Sequence, residues 1–408
     1  MDNDGISALL TEQGWALLES LPPYDPSQAI ALGEELRRQG QPADLVAAAL
    51  TQSRLRAAAT EKFGPFAASM LFTRAGLEQA SRFQVAARHA QRFVGAGIEK
   101  VADLGCGIGA DAMALATFER EVLAVDRDEV TAAAATMNLR HWPNATVRCA
   151  DVTELTEAEL SGFGGAFLDP ARREATTGKR LLDPRFGSPP LSFVLDLATR
   201  LPAVGVKTAP GIPHHLVPEG AEAQWISVAG SVVEAGLWFG SLARDGVRRA
   251  ALVLPRDGDE STAAAEVTDV GMDDASTGPI GAVLYEPDGA VIRAGLVAQV
   301  ATQVNGRLLD PTIAYVTADS RVSTSLATAY AVEEVFPFQL KRLRTWLRDR
   351  DVARLTIKKR GTAIEPEQLR RQLRLDAARG SNEATIVLTR VAGKQSVIAV
   401  RPFPDRGR

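Results

Sequence analysis

Apolar residues recur three and four positions apart through the first part of the chain, and this period predicts helices. The helical segments are ISALLTEQGWALLESL, SQAIALGEELRRQG, PADLVAAALTQSRLRAAATEKFG and a longer stretch that ends in RFQVAARHAQRFVG. Pro22, Pro23, Gly40 and Gly64 separate these segments, and such residues are typical of helix ends. Residues 1–94 are therefore predicted to form a helical N-terminal domain.

From Lys100 the pattern changes to short apolar runs that alternate with helical segments. The runs, in chain order, are KVADL, EVLAVD, ATVRCAD, GGAFLD, PAVGVKTA, AQWISVA and RRAALVLP. Strands that alternate with helices favour a parallel sheet covered by helices on both faces. The last two runs flank a segment that ends in the turn Asp245-Gly246 and can pair antiparallel at the sheet edge. Residues 95–255 are therefore predicted to form an α/β domain.

The rest of the chain begins with an acidic stretch rich in small residues, DGDESTAAAEVTDVGMDDASTGP. The next segment, LYEPDGAVIRAGLVAQVATQV, indicates a turn and a helix. Residues 256–325 are therefore predicted to form a connector with one helix. Further on, IAYVTAD, TAYAVEEVFPF, ARLTIKKRG, EATIVLTRV and KQSVIAVRPF are strand patterns, and QLKRLRTWLRDR and EPEQLRRQLRL are helical. Residues 326–408 are predicted to form a small α+β module.

Composition excludes several classes of protein. The chain has 408 residues, of which 46% are hydrophobic. No segment approaches the roughly 18 consecutive apolar residues of a membrane span, and the start MDNDGISALL lacks the pattern of a secretory signal. Cys106 and Cys149 are too few for a disulfide framework or a zinc cluster, and we expect both to be buried. We therefore expect a cytoplasmic protein with no membrane partner and no metal.

The net charge of -4 conceals a basic C-terminal part. Between Lys341 and Arg374 there are twelve Lys or Arg residues against four Asp or Glu residues. A basic face on an acidic protein can bind a polyanion, although a charged run can also be a solvated helix face. The candidates for contacts with RNA phosphates are Lys341, Arg342, Lys358, Lys359, Arg360, Arg370 and Arg371.

The segment VADLGCGIGADAMALA places a glycine turn between a strand and a helix. Its spacing is D-x-G-x-G-x-G, with Asp103, Gly105, Gly107 and Gly109. Glycines allow a tight turn and let a ligand lie against the main chain. A dinucleotide-binding turn would have G-x-G-x-x-G, and a Walker loop would have G-K-[ST] at the helix start, and neither is present.

This turn and its context resemble those of class I S-adenosylmethionine-dependent methyltransferases over residues 95–255. The resemblance implies a Rossmann-like, seven-stranded methyltransferase sheet with S-adenosylmethionine as the cofactor. In that family an acid at the end of the second strand binds the ribose, and a residue after the third strand contacts the adenine. The cofactor residues that it implies are Asp103, Gly105, Gly107, Gly109, Asp126 in AVDRDE and Asp151 in CADVTEL.

The fourth strand pattern, GGAFLDPARR, ends in a sequence similar to the D/N-P-P-Y or D-P-P-R motif of base N-methyltransferases, with Ala171 in place of the second proline. A carboxylate followed by a φ-locked proline presents a fixed acceptor to an N–H donor. Asp169 and Pro170 are therefore predicted catalytic residues, and a simple turn at the strand end is the alternative. Arg172 is the third predicted catalytic residue, and it can instead pair with phosphate or with nearby acids, or face solvent. Lys207 ends the fifth strand and either points toward the same rim or is exposed.

The whole chain resembles the bacterial methyltransferases with a THUMP-like domain. The resemblance rests on FTRAGLEQASR, DLGCGIGAD, LDPARR, LYEPDGAVIRAG and the basic C-terminal end. It implies that Thr73 and Gln79 lie over the methionine part of the cofactor and that residues 326–408 are related to the THUMP RNA-binding domain. THUMP domains usually precede the catalytic domain, whereas this module follows it.

Three functions are compatible with these features. The first is methylation of a base nitrogen in structured RNA, tRNA or rRNA, with the basic module holding phosphates. The second is a small-molecule or protein methyltransferase that uses the module as a lid or for dimerisation. The third is a noncatalytic cofactor binder. A flipped base is expected near Asp169, with Trp238 or Phe239 as stacking partners.

Overall fold

The computed structural model describes residues 5–171, 183–259, 263–271, 274–374 and 381–403. The chain divides into two compact units, one of residues 1–222 and 235–244, the other of residues 223–234 and 245–408. This division differs from the four segments predicted from the sequence. Within the described part of the chain, no helix is both long and apolar enough to cross a membrane.

Helices make up the beginning of the first unit, as the period of the apolar residues predicts. These are α1 (Ile6–Leu9), α2 (Glu12–Ser20), α3 (Ala29–Arg38), α4 (Ala43–Phe63), α5 (Arg74–Gln79) and α6 (Phe83–Gly95). The later helices of the unit alternate with strands and are α7 (Ala110–Thr117), α8 (Glu129–Leu139), α9 (Glu157–Leu160) and α10 (Leu191–Arg200). The first predicted helix is divided at Thr11, whose hydroxyl accepts a hydrogen bond from the backbone N–H of Gly14 and caps α2. Leu17, Leu45 and Val46 belong to the buried core beneath these helices.

The sheet of the first unit places several strand ends along one edge. Its strands are β1 (Lys100–Leu104), β2 (Glu121–Asp126), β3 (Ala145–Cys149), β4 (Gly165–Leu168) and β5 (Ala203–Thr208), in the order β3-β2-β1-β4-β5 and all parallel. In such sheets, ligands bind outside the carboxyl ends of the strands. The glycine turn, Asp126 and Asp169 stand at the carboxyl ends of β1, β2 and β4, so the topology brings these predicted site residues to one edge.

The predicted antiparallel pairing of the last two runs is wrong. The runs form β6 (Glu222–Val228) and β8 (Arg249–Leu254), which are parallel neighbours. The sequence between them forms another strand, β7 (Ser231–Gly240), whose residues Ala235–Gly240 pair antiparallel with β5. Because β7 reverses the direction of the chain after β6, β8 can run parallel to β6.

The second unit continues with a further sheet. Its elements after β8 are β9 (Ala265–Thr268), β10 (Val283–Pro287), α11 (Gly289–Ala294), α12 (Val297–Gln303), β11 (Arg307–Asp310), β12 (Ile313–Ala318), β13 (Ala327–Pro337), α13 (Leu340–Asp349), β14 (Val352–Lys359), α14 (Pro366–Leu373), β15 (Asn382–Val391) and β16 (Lys394–Pro402). Seven of the strands form one sheet in the order β11-β12-β10-β13-β16-β15-β14. Only β14 and β15 are parallel neighbours among its described pairs.

The predicted connector is therefore not a separate segment. Strands β10, β11 and β12 lie within residues 256–325 and share the sheet of the C-terminal module. Leu284 of β10 is paired with Tyr330 of β13, and both side chains belong to one buried cluster. The start LYEP, predicted as a turn, is the end of β10, and the Asp288 side chain then caps α11. The sequence pattern did not indicate this strand, because the apolar run is short, ends in Pro287 and is followed by Asp288 and Gly289.

Candidate active site

The glycine turn needs its glycines for conformation and for space. Gly105, Gly107 and Gly109 have φ values of 81°, 55° and 85°, a region that favours glycine. A Cβ on Gly105 would lie 3.1 Å from the carbonyl oxygen of Asp169, whereas a Cβ on Gly107 would have no atom within 4 Å. Gly109 is the N-cap of α7, and a Cβ on it would lie 3.5 Å from the Leu139 side chain. The backbone at Gly107 is therefore open to a ligand.

Beside the turn lies a cavity of about 250 Å³. The predicted cofactor residues that line it are Thr73, Gln79, Asp103, Gly105, Gly107, Asp126 and Asp151. Asp169 lines the same cavity. Gly109 and Pro170 are not among the lining residues, and Arg172 lies outside the described residues. The structure thus brings most of the predicted cofactor residues and Asp169 together.

Asp126 is held in place by the main chain. Its Oδ2 accepts a hydrogen bond from the backbone N–H of Gly107 at 3.0 Å, and its Oδ1 accepts one from the N–H of Asp128, also at 3.0 Å. Burial raises the pKa of Asp126, and the two backbone hydrogen bonds partly offset this rise. A carboxylate fixed in this way can accept hydrogen bonds from two adjacent hydroxyl groups of a ribose.

Asp103 is a buried carboxylate with one oxygen that accepts no hydrogen bond from the described residues. Its side chain is almost fully buried, and within the described part of the chain its Oδ2 has no hydrogen-bond partner. Burial, together with the charges of Asp111 and Asp169, raises the pKa of Asp103 well above its ordinary value. A buried carboxylate beside the cavity would be stabilised by a cation, and the ammonium group of S-adenosylmethionine is such a group. This site therefore fits the cofactor.

Asp111, at the start of α7, takes part in a buried network. Its Oδ1 lies 2.7 Å from Nδ1 of His89, and its Oδ2 accepts a hydrogen bond from the Ser81 hydroxyl at 3.0 Å. Burial alone would raise the pKa of Asp111, but the hydrogen bond and charge of His89 bring it below its ordinary value. His89 and Ser81 are not among the predicted site residues, although Ser81 lies within the motif FTRAGLEQASR.

Asp169 forms an ion pair with Lys207. The Lys207 ammonium donates a hydrogen bond to Oδ2 of Asp169 at 2.7 Å and a second one to the carbonyl oxygen of Gln79 at 2.9 Å. The Lys207 side chain is only 3% exposed, and that of Asp169 is 23% exposed. Of the two positions expected for Lys207, the structure has the one that points to the rim. A lysine within the otherwise apolar VGVKTA was the sequence signal.

The segment Thr73–Ala80 covers the glycine turn. The Thr73 hydroxyl accepts a hydrogen bond from the N–H of Gly76 and caps α5. Gly76 packs so closely against Ile108 of the turn that a Cβ would not fit. At the other end, the Lys62 ammonium donates to the carbonyl oxygens of Leu77, Glu78 and Ala80. Burial and the charges of Lys207 and Arg82 lower the pKa of Lys62 to about 8.

The expected stacking partners for a base are not accessible. Trp238 is fully buried against His89 and Phe167, and Phe239 is also buried. This expectation is wrong because both residues belong to β7, a strand inside the sheet. Phe186, by contrast, is 67% exposed. It precedes Ser188, which lines the cavity and exchanges backbone hydrogen bonds with Ala171.

The two cysteines differ in their environments. Cys106, in the glycine turn, is buried as expected, and burial raises the pKa of its thiol well above the ordinary value. Cys149 is exposed, so the expectation of two buried thiols is wrong for this residue. It is the last residue of β3, the edge strand of the first unit, where less of the chain covers it.

The predicted RNA-binding residues fall into two groups. Lys341, Arg342, Arg370 and Arg371 are exposed on α13 and α14. Lys358, Lys359 and Arg360 are half-buried and have acidic partners: Glu286 lies 2.6 Å from Lys358 and 4.0 Å from Arg360, and Glu365 lies 2.5 Å from Lys359. A groove of about 1360 Å³ in this module is lined by Arg350, Arg354, Arg370, Arg371, Arg374 and Arg401. Its acidic lining residues are Glu333, Asp349, Asp351 and Glu383.

Comparison with known proteins agrees with this architecture. A family model for a THUMP domain-like region matches residues 327–402, and a model for a domain of unknown function, DUF8688, matches residues 2–59. A crystal structure of a candidate methyltransferase from Porphyromonas gingivalis W83 superimposes with a TM-score of 0.74 at 20% identity, covering 94% of this chain and 100% of that one. The predicted methyltransferase fold is thereby confirmed.

Two relatives in Mycobacterium tuberculosis, from strains CDC 1551 / Oshkosh and ATCC 25618 / H37Rv, are each 36% identical over 326 residues. The match covers 79% of this chain and 85% of each relative. Both are named as uncharacterised S-adenosylmethionine-dependent methyltransferases. Taken with the glycine turn and the fit of the cavity to the cofactor, this similarity shows that the chain belongs to the S-adenosylmethionine-dependent methyltransferases with a THUMP-like domain.

Proposed function

We propose that this methyltransferase acts on a base nitrogen of structured RNA, tRNA or rRNA. The observation that carries the proposal is the position of Asp169. This carboxylate follows β4, lines the cavity of the glycine turn and is followed directly by Pro170. An acceptor fixed at this point can orient an N–H donor of a base toward the bound cofactor.

Different residues around the cavity would bind different parts of the cofactor. S-adenosylmethionine, when bound, supplies a methyl group activated on a sulfonium. Asp126 would hold the ribose hydroxyls, Asp103 would hold the ammonium group, and the open backbone at Gly107 would allow close approach. Asp169 would then position the nitrogen. Because the methyl group is already activated, most of the rate enhancement comes from orientation and proximity.

Two features of the second unit support RNA as the substrate. Its residues 327–402 match the THUMP domain-like family, and THUMP domains bind RNA. Its groove is lined by six arginines and four acids, an excess of positive charge that suits a phosphate backbone. Arginine also forms bidentate hydrogen bonds with phosphate oxygens. The module would therefore bind the phosphate backbone of the RNA, and the catalytic cavity would select the base.

The test is methyl transfer from labelled S-adenosylmethionine to total RNA from a strain that lacks the gene. We expect label in RNA, in a nucleoside methylated on a base nitrogen, and almost none with Asp169→Ala. Protein extract and a small-molecule extract of the same strain are the parallel substrates. Label that enters protein or small molecules instead would overturn the proposal. It would favour a protein or small-molecule methyltransferase whose C-terminal module serves as a lid or for dimerisation.

A further inference from the structure

We propose that Lys207 is a positioning residue that keeps Asp169 an ionised hydrogen-bond acceptor, so that the enzyme selects a base nitrogen that carries a hydrogen. The target is then an exocyclic amino group or a ring N–H. This inference rests on the proposed function and narrows it to one class of atom.

The burial of the pair supports an ionised Asp169. Lys207 is 3% exposed, and its ammonium lies 2.7 Å from Oδ2 of Asp169. A charged group that is withdrawn from water needs an opposite charge in contact with it. An ionised carboxylate accepts hydrogen bonds and donates none, whereas a protonated one can donate. Lys207 therefore determines which kind of partner Asp169 can bind.

Lys207 also ties Asp169 to the segment over the cofactor cavity. Its second hydrogen bond goes to the carbonyl oxygen of Gln79, at the end of α5. Lys62 binds three neighbouring carbonyl oxygens of the same segment. Both lysines thus anchor the α5 segment, and Lys207 in addition forms an ion pair with Asp169. This difference makes Lys62 a matched control.

Other titratable groups surround the pair and contribute to its electrostatics. They come from α4, α6, α7, β1 and β2 and are Lys62, His89, Asp111, Asp103 and Asp126. Lys207 lowers the pKa of both Lys62 and Asp111, and Asp169 raises the pKa of Asp103. The acids outnumber the lysines in this cluster, so removal of Lys207 leaves Asp169 among carboxylates that favour its protonation.

The choice of atom follows from the chemistry of the acceptor. An amino or ring N–H donates to the Asp169 carboxylate, which orients the nitrogen. A ring nitrogen without hydrogen, such as adenine N1 or guanine N7, would instead direct a lone pair at the carboxylate and be repelled. In the transfer, the N–C bond forms as the C–S bond breaks, the electron pair of that bond stays on sulfur, and the displaced N–H proton passes to Asp169 and then to water.

The first experiment identifies the methylated atom. Total RNA from the strain that lacks the gene is methylated with the wild-type enzyme, and the nucleosides are separated by mass spectrometry. A methyl group on an amino or N–H nitrogen supports the inference. A methyl group on a ring nitrogen without hydrogen overturns the inference and leaves the proposed function intact. A methyl group on carbon or on the ribose overturns both but leaves an RNA methyltransferase. No label in RNA overturns the proposed function and the inference together.

The second experiment compares Lys207→Met with Lys62→Met on the same RNA. We expect Lys207→Met to lower turnover at least tenfold, to move the acid limb of the pH–rate profile upward by about one unit or more, and to keep the affinity for S-adenosylhomocysteine within about threefold. Lys62→Met should keep the wild-type profile. Equal losses in both variants, or an unshifted acid limb in Lys207→Met, would mean that Lys207 only anchors α5.

A double variant covers the case in which Lys207→Met folds poorly. In Asp169→Asn the acceptor charge is already gone, so the addition of Lys207→Met should change turnover by less than about twofold. Thermal melting should show that the double variant is no less stable than Asp169→Asn alone, because the buried lysine has then lost its ionised partner. A further loss of tenfold or more in turnover would show that Lys207 acts independently of Asp169.

Discussion

The backbone N–H of Gly107 donates a hydrogen bond to the Asp126 carboxylate at 3.0 Å, which joins the glycine turn after β1 to the end of β2. The residue predicted to bind the ribose is thus oriented by the turn predicted to hold the cofactor. Asp126 remains partly accessible and lines the cavity. Backbone hydrogen bonds therefore hold the carboxylate in one orientation, which lowers the cost of ordering it on binding.

Asp126→Ala should weaken the binding of S-adenosylmethionine by about 1–3 kcal/mol, because hydrogen bonds to a charged acceptor are lost. Titration calorimetry measures the affinity directly. Asp128→Ala is the control, since the Asp128 side chain caps α8 through the N–H of Thr131 and does not line the cavity. If Asp126→Ala binds the cofactor as tightly as the wild type does, the ribose assignment is wrong.

Asp103 should make cofactor binding depend on pH. Because the pKa of Asp103 is raised, the folded protein holds the carboxyl proton more tightly than the unfolded chain does. Asp103 therefore stabilises the folded protein at low pH, and this contribution is lost as pH rises through the folded pKa. The cofactor ammonium favours the ionised form. Cofactor affinity should therefore increase as pH rises through this pKa, and binding should release a proton.

Calorimetry of cofactor binding in buffers with different ionisation enthalpies counts the released protons. Asp103→Asn should bind more weakly and remove this proton release. Wild-type binding with no proton release at any pH across the titration, or an Asn variant with an unchanged profile, would contradict the assignment of the ammonium site to Asp103.

Several residues of the site could be predicted because each one belongs to a short sequence pattern at the end of one strand. The glycine spacing after β1, Asp126 at the end of β2 and Asp169 after β4 all follow from short patterns, and the parallel strand order brings them to one edge. The contacts between distant segments could not be predicted. Lys207 and Asp169 are 38 positions apart, and their contact depends on β4 and β5 being neighbours.

The buried ion pairs of Glu222, the first residue of β6, illustrate the same limit. Glu222 is fully buried and binds both Arg92 and Arg244, which lie far from it in the sequence. Burial opposes ionisation of Glu222, but hydrogen bonds from the two arginines lower its pKa below the ordinary value. From the sequence alone these residues would be taken for surface charges, because no periodic pattern distinguishes a charged residue that is buried in an ion pair.

Phe186 should contribute to RNA methylation as a stacking residue. It is 67% exposed and stands close in sequence to Ser188 at the cavity, and base–aromatic stacking contributes about 1–3 kcal/mol per base. Phe186→Ala should therefore lower kcat/KM for RNA by about tenfold and leave cofactor affinity unchanged. Leu195→Ala, at another exposed apolar residue of the first unit, is the control. Equal kcat/KM values for both variants and the wild type would exclude stacking by Phe186.

The exposed arginines of α14 should supply RNA affinity. Arg370→Glu with Arg371→Glu should weaken binding of total RNA and reduce the slope of log affinity against log salt concentration, because fewer counterions are released. Cofactor affinity should not change. The same reversal at Lys358 and Lys359 would break their ion pairs with Glu286 and Glu365, so its main effect should be a lower melting temperature. An unchanged salt slope in the α14 variant would favour a lid or dimerisation role for the module.

Asp169 decides whether the cavity is catalytic. If its carboxylate orients the target nitrogen, Asp169→Ala should keep cofactor affinity within about threefold and lower turnover by roughly two orders of magnitude, since the loss falls on positioning in the transition state. Asp169→Asn keeps an acceptor oxygen and should retain more activity. Single-turnover methylation of total RNA at saturating cofactor, with a melting curve for each variant, measures both effects. If Asp169 only ends β4 and pairs with Lys207, stability, cofactor binding and turnover should instead fall in proportion, and a stable Ala variant with near-normal turnover would remove Asp169 from the active site.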